Sequence, residues 1–254
     1  IFDSVLWIVS PSRAGTSSGE ISVSDEILKR VVEAYRRIRN TLRFLLANVS
    51  DFDIQKDAVP LDRMFDIDRY ALVMTEQVQK RIVDLYLKYE FHPIVSLLQT
   101  FCSEELGAFY LDILKDRLYT TAENSLARRS AQTALWHITD ALLKLMAPIL
   151  SFTADEAWPV FAPERCREPG ASIQEELFHV FPELPDAQAL DARWSLIRKA
   201  RAQVQAHLES QLRERGEIGS SLQAEVALTA PAGELHDALA SLEDDLRFVL
   251  ITSA

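Results

Sequence analysis

The chain runs to 254 residues, 48% of them hydrophobic and 26% charged, with a formal net charge of −11. That acidity, with an isoelectric point of about 5.0, excludes a protein held on nucleic acid by bulk charge, so any such contact has to come from a local patch. The two cysteines, Cys102 and Cys166, form neither a CxxC pair nor a zinc knuckle, and no apolar run reaches the roughly 18 residues of a membrane span.

Residues 1–23 read as an apolar lead-in, IFDSVLWIVS, followed by a Ser- and Gly-rich loop. The lead-in has no basic start and no initiating Met, which points to a fragment boundary rather than a signal peptide. From Ser24 onward, apolar residues recur at Ile27, Val31, Tyr35, Ile38, Leu42, Leu45 and Val49, the spacing of an α-helix buried on one side. Ser22 or Ser24 is its expected cap, with Asp25 and Glu26 at the positive end of its dipole. A polar connection over 51–66 precedes a second helix from about Asp68, whose inner face is Ala71, Met74, Val78, Ile82, Leu85 and Tyr89. Pro93 is placed to start a third helix with Ile94, Leu97, Leu98, Phe101 and Cys102 inside. Gly107 is expected to kink or end it, and Leu111, Leu114 and Leu118 carry the pattern on to Tyr119. Ser125 opens a fourth helix that buries Ala127, Ala131, Leu135, Ile138, Leu142, Leu145 and Ile149, with Pro148 disturbing its last turn. Thr153-Ala154-Asp155-Glu156 spells a capping box for a short helix turning Ala157, Trp158 and Phe161 inward.

The fold class that follows is mainly α, an antiparallel helix bundle over residues 24–162. Residues 163–188 hold prolines at 163, 169, 182 and 185 and read as a linker lying on the bundle. Residues 189–254 read as a long helix (from about Asp186 to Arg215) plus a small, partial α/β unit. Its expected parts are a half-buried strand from Ala224 to Ala230, a short helix from Glu234 to Leu242 and an apolar strand from Arg247 to Thr252.

The first helix has a second pattern. At about 100° per residue, Lys29, Arg36 and Arg43 stack opposite the apolar face, with Arg39 and Asn40 beside them. Glu33 is the one acid between Ile27 and Asn48. A basic stripe opposite a core face is what a helix needs to lie against phosphates. A second basic spot combines Lys115 and Arg117, near the end of the third helical stretch, with Arg128 and Arg129 in the first turn of the fourth. Cations at a helix N-terminus oppose the dipole, so Arg128 and Arg129 require a compensating partner: an acid such as Glu123, or an external phosphate. Tyr110 and Tyr119, nearby in sequence, are the right type to stack on unpaired bases or to fill core. No catalytic set emerges: there is no GxGxxG, Walker loop, HExxH or GxSxG, and the five histidines show no metal-ligand spacing.

Several blocks then carry a resemblance. GEISVSDEILKRVVEAYRRIRNTLRFLLANVSDFD, FCSEELGAFYLDILKDRLYTT, SLARRSAQTALWHI and LMAPILSFTADEAW resemble, in order, the anticodon-binding region of bacterial isoleucyl-tRNA synthetases. IRKARAQVQAHLE, IGSSLQAEVALTAP and LRFVLITSA resemble the segment that follows it. The resemblance starts near Gly19, and VLWIVSPSRAGTSS fits it poorly. Valyl and leucyl enzymes share the architecture and a version of APILSFTADEAW without the full wording. The family's catalytic signatures, HIGH and KMSKS, are absent, as are its inserted editing domain and cysteine-rich zinc module. The resemblance implies a bundle of the class I synthetase anticodon-binding type. It further implies a cytoplasmic monomer whose partner is the isoleucine tRNA, with neither DNA nor membrane. It implies no cofactor in this stretch, ATP with magnesium belonging to the catalytic part. The expected RNA contacts are Lys29, Arg36, Arg39, Asn40, Arg43, Lys115, Arg117, Arg128 and Arg129. The rival expectations are a helical protein-interaction module and the matching region of a valyl or leucyl enzyme.

Overall fold

The structure, a computed structural model, describes residues 25–168 and 170–253, with Ile27 described in its backbone only. The lead-in, the proposed caps Ser22 and Ser24, the packing of Ile27 and Pro169 lie outside the described residues. The chain divides into two compact units between Glu183 and Leu184.

In the first unit, α1 (Asp25–Asn48) buries Ala34, Ile38, Leu42 and Leu45, as the apolar spacing requires. A short turn of helix, α2 (Ile54–Asp57), is capped by the Asp53 carboxylate. It leads into α3 (Asp66–Leu87), which packs along α6 (Leu126–Met146). Between them run α4 (Phe91–Thr100), a π-helical stretch (Phe101–Tyr110) and α5 (Leu111–Thr120) as one continuous rod. Side-chain bonds between elements fix their directions. Ser130 meets Asp68 at 2.5 Å and Tyr86 meets the Leu145 carbonyl at 2.8 Å, so α3 and α6 run the same way. Arg117 meets Asp68 at 2.6 Å, so α5 ends where α3 begins. Gln132 reaches the Asn48 carbonyl at 2.9 Å and Tyr35 reaches Thr153 at 2.8 Å, so α1 runs opposite to α6. Successive long elements therefore alternate in direction, as the bundle reading expects. The ends of α1 and α5 and the starts of α3 and α6 gather at one pole.

Local expectations fail where the surroundings overrule them. Gly107 does not end its helix. It sits inside the π-helical stretch, where an added Cβ would lie 2.9 Å from the Cys102 carbonyl oxygen. In the same stretch the Cys102 carbonyl accepts a hydrogen bond from the Thr41 hydroxyl of α1 at 3.1 Å. Burial pushes the Cys102 thiol pKa up to about 12, so the thiol stays protonated. Tyr89, expected inside, is 80% exposed and turns the chain at φ 58° between α3 and α4. The helix α7 (Ser151–Phe161) starts before the expected capping box, and Thr153 uses its hydroxyl on Tyr35 instead.

The segment 163–183 lies over α6 and α7. Ile173 is buried, and Gln174 donates to the Ala147 carbonyl at 3.1 Å. Its anchor is His179, which contacts Asp140 at 2.6 Å through Nδ1 and His137 at 2.9 Å through Nε2. Lys144 and Arg165 also bond Asp140, at 2.8 and 3.1 Å. Burial would raise the Asp140 pKa, but the hydrogen bonds from His179 and Lys144 outweigh it and hold the carboxyl below its usual range. Burial, with His179 adding to it, lowers the His137 pKa from 6.5 to about 4. A base with a depressed native pKa gives its full stability above the unfolded value of 6.5. That stability is lost as pH falls towards 4. The shift corresponds to a ceiling of about 3 kcal/mol. Urea unfolding of the wild-type chain and of His137→Gln between pH 7 and 4 should therefore converge as the pH drops. Parallel curves would mean that His137 takes its proton freely in the folded state.

The second unit is helical throughout its regular parts: α8 (Ala187–Leu208) with a π-helical end (Glu209–Arg213), α9 (Glu234–Ala240) and α10 (Leu246–Leu250). Trp194, Ile197, Leu239, Val249 and Leu250 form its core, and buried Arg201 donates to the Val249 carbonyl at 2.8 Å. The expected α/β character is corrected here: no strand occurs among the described residues. Just past the second candidate strand, Ser253 donates to the Ala224 carbonyl, at 3.0 Å from its amide. Without a ladder partner, the apolar run 246–250 satisfies its backbone within a helix, which an apolar run that short permits equally well.

Candidate nucleic-acid interface

On α1, Lys29, Arg36, Arg39, Asn40 and Arg43 are all exposed. The stripe inferred from spacing therefore faces solvent. Arg36 is paired with Glu33 one turn away. An exposed pair of that kind is worth little and yields readily to a phosphate. Lys29, Arg39 and Arg43 have no hydrogen-bond or ion-pair partner among the described residues. Neither does Arg37, an exposed residue outside the expected set. A helix that keeps several guanidinium groups uncompensated, within a chain of net charge −11, presents a local positive surface.

The second basic spot separates into residues with different tasks. Lys115 is exposed and paired with Asp112 of its own helix, at 2.8 Å. Arg117 belongs to the interior. It bonds both carboxylate oxygens of Asp68, at 3.3 and 2.6 Å, donates to the Ala127 carbonyl at 2.7 Å and stacks over the Phe65 ring at 4.7 Å. Asp68 is fully buried and also accepts from the Tyr110 and Ser130 hydroxyls. This corrects the placing of Arg117 on an RNA-facing patch: its charge is consumed inside the fold. Tyr110 is wholly buried with it, and burial raises its phenol pKa well above the usual value. Tyr119, by contrast, is 66% exposed.

Arg128 and Arg129 find the partners that the dipole argument demanded, but from elsewhere in the chain. Arg128 meets Asp51 at 3.0 Å, with the Glu123 carbonyl at 3.4 Å. Arg129 lies 3.7 Å from Asp57 and 3.8 Å from Asp51, and bonds Gln132 and Asn124 at 2.8 Å each. The expected acid is supplied by the α1–α3 connection, and the Glu123 carboxylate takes no part. These two arginines therefore fasten the 51–57 segment over the start of α6, and both side chains are largely enclosed. The exposed stripe of α1 is the arrangement best suited to a polyanion, and it runs towards the same pole of the bundle.

Among the described residues no group of three His, Cys, Asp or Glu could hold a metal ion, and no helix is long and apolar enough to cross a membrane.

A family described as the anticodon-binding domain of tRNA ligases matches residues 68–228. The chain is 62% identical over 252 residues to the isoleucine–tRNA ligase of Bordetella parapertussis, covering 98% of the chain and 26% of that relative. It is 58% identical over 248 residues to the enzyme of Paraburkholderia phymatum, and 57% identical over 249 residues to that of Burkholderia multivorans. Each of those two matches covers 98% of the chain and 25% of the relative. The chain thus spans about a quarter of the length of the curated relatives it matches.

Proposed function

Because the chain belongs to the anticodon-binding domain family of the tRNA ligases, we propose that it binds the anticodon stem and loop of the isoleucine tRNA. In this reading it serves a longer ligase that attaches isoleucine to that tRNA with ATP. The observation that carries the reading is the α1 stripe, where Lys29, Arg39 and Arg43 stand exposed and unpartnered among the described residues. Arg36, Asn40 and Lys115 extend the phosphate-facing set, whereas Arg117, Arg128 and Arg129 support it from within. The chain contributes position and identity checking and makes no bond of its own, since a rigid bundle that fixes one end of a tRNA orients the other for reaction elsewhere. ATP with magnesium and any zinc belong to parts of the ligase other than this chain. The ligase acts in the cytoplasm as a monomer and binds no DNA.

Titration of the chain with isoleucine tRNA and with an anticodon-swapped version, at two salt concentrations, tests this. Tighter binding to the native anticodon, weakening with salt as counterions are retained, is the expected result. Equal affinity for both tRNAs would remove anticodon recognition from this chain, and affinity indifferent to salt would favour an apolar protein partner.

A further inference from the structure

A cleft at the pole where α6 begins lies apart from the α1 stripe, between the segment 56–63 and the first turn of α6. Lys56, Arg63 and Arg129 line it together with the acid Asp57. The cations differ in availability. Lys56 is held by Asp53 at 2.6 Å, and Arg129 is engaged by Asp51, Asp57, Gln132 and Asn124. The Arg63 side chain is exposed and has no partner among the described residues. Across the cleft stands Leu126, 41% exposed at the first position of α6, with Pro60 also lining the space. Asn124 completes the wall; its carbonyl oxygen accepts from Arg129, which leaves its amide nitrogen free to donate.

An unpaired guanidinium and an exposed leucine lining one cleft select for a ligand with two chemistries. Inorganic phosphate would use Arg63 and leave Leu126 in water, and an apolar group would do the reverse. A nucleotide carries both, a flat base face and a phosphate one sugar away, and a base carbonyl suits the Asn124 amide. We propose that this cleft takes one unpaired nucleotide of the anticodon loop, its base against Leu126 and Pro60 and its phosphate at Arg63. The proposal rests on the tRNA-binding reading above and adds a place where single-stranded RNA is gripped rather than merely attracted.

The test uses the wild-type chain, Arg63→Ala, Leu126→Ala and Arg43→Glu, each checked for unchanged circular dichroism. Each is titrated with the isoleucine anticodon stem-loop at several salt concentrations. Arg63→Ala should weaken binding at least about fivefold and reduce the salt slope by about one, the signature of a lost phosphate contact. Leu126→Ala should weaken it about three- to tenfold with the slope unchanged, the signature of lost apolar contact. Stem-loops made abasic at one loop position at a time should include one for which Leu126→Ala has no further effect. If Arg43→Glu weakens binding while both cleft variants match the wild type, the cleft proposal is overturned and the tRNA reading stands. If only Arg63→Ala has an effect, the site holds a phosphate and no base, and the proposal again fails. Absence of any binding by the wild-type chain would overturn both.

Discussion

A chain carrying Arg36→Glu, Arg39→Glu and Arg43→Glu together is expected to bind isoleucine tRNA at least about a hundredfold more weakly, with a salt slope lower by roughly three. The three side chains share the exposed face of α1 opposite Ile38, Leu42 and Leu45, so the exchange leaves the core untouched. The only described pair it breaks is Arg36 with Glu33, an exposed contact on the helix surface. Such a pair contributes about 0.3–0.5 kcal/mol, too little to unfold α1. Reversal, unlike truncation, also places repulsive charge where phosphates would lie, which is why a large effect is expected from side chains that each contribute modestly. Unchanged affinity with an unchanged circular dichroism spectrum would show that the stripe is a solvated face and that RNA contact, if any, lies elsewhere.

Asp68→Ala should cost about 3–5 kcal/mol of folding stability, read by urea unfolding. The carboxylate is fully buried and serves Arg117, Tyr110 and Ser130 at once. Its removal strands a largely enclosed guanidinium and two hydroxyls. Helix polarity reinforces the pair. Asp68 sits in the first turn of α3 and Arg117 in the last turn of α5, where each dipole favours the charge it meets. Asp68→Asn keeps an acceptor for the hydroxyls but leaves the arginine charge unanswered, so it should fall between Asp68→Ala and wild type. A loss below about 1 kcal/mol for Asp68→Ala would mean that Arg117 escapes to solvent without disturbing the bundle, against the enclosure described above.

The two variants separate residues that look alike in sequence. Arg43 and Arg117 are both helical arginines opposite leucine stripes, yet one faces water and the other a buried acid. The difference is decided by Asp68, which lies 49 positions before Arg117. Local spacing cannot place a partner that distant. The same holds for Arg128 and Arg129. Dipole reasoning required a negative partner for them, but the connection that brings Asp51 and Asp57 over α6 is set by how α1 and α3 pack. The cleft at Arg63 and Leu126 carries no motif. It exists only because the 56–63 segment is pinned there, by Val59 donating to Thr133 and Arg129 meeting Asp57.

What the sequence by itself determined is everything that depends on neighbours within a turn or two. The helical periods, the core face of α1, the exposure of its basic stripe and the mainly α class all follow from spacing, because a helix sorts its faces without reference to the rest of the chain. Tertiary structure decided the tasks that depend on long-range company. It brought Thr41 to the Cys102 carbonyl, gave Arg117 to Asp68 and set the 246–250 run in a helix. Burial makes an unpaired charge or backbone group costly, and the partner that relieves that cost is chosen by the packed fold.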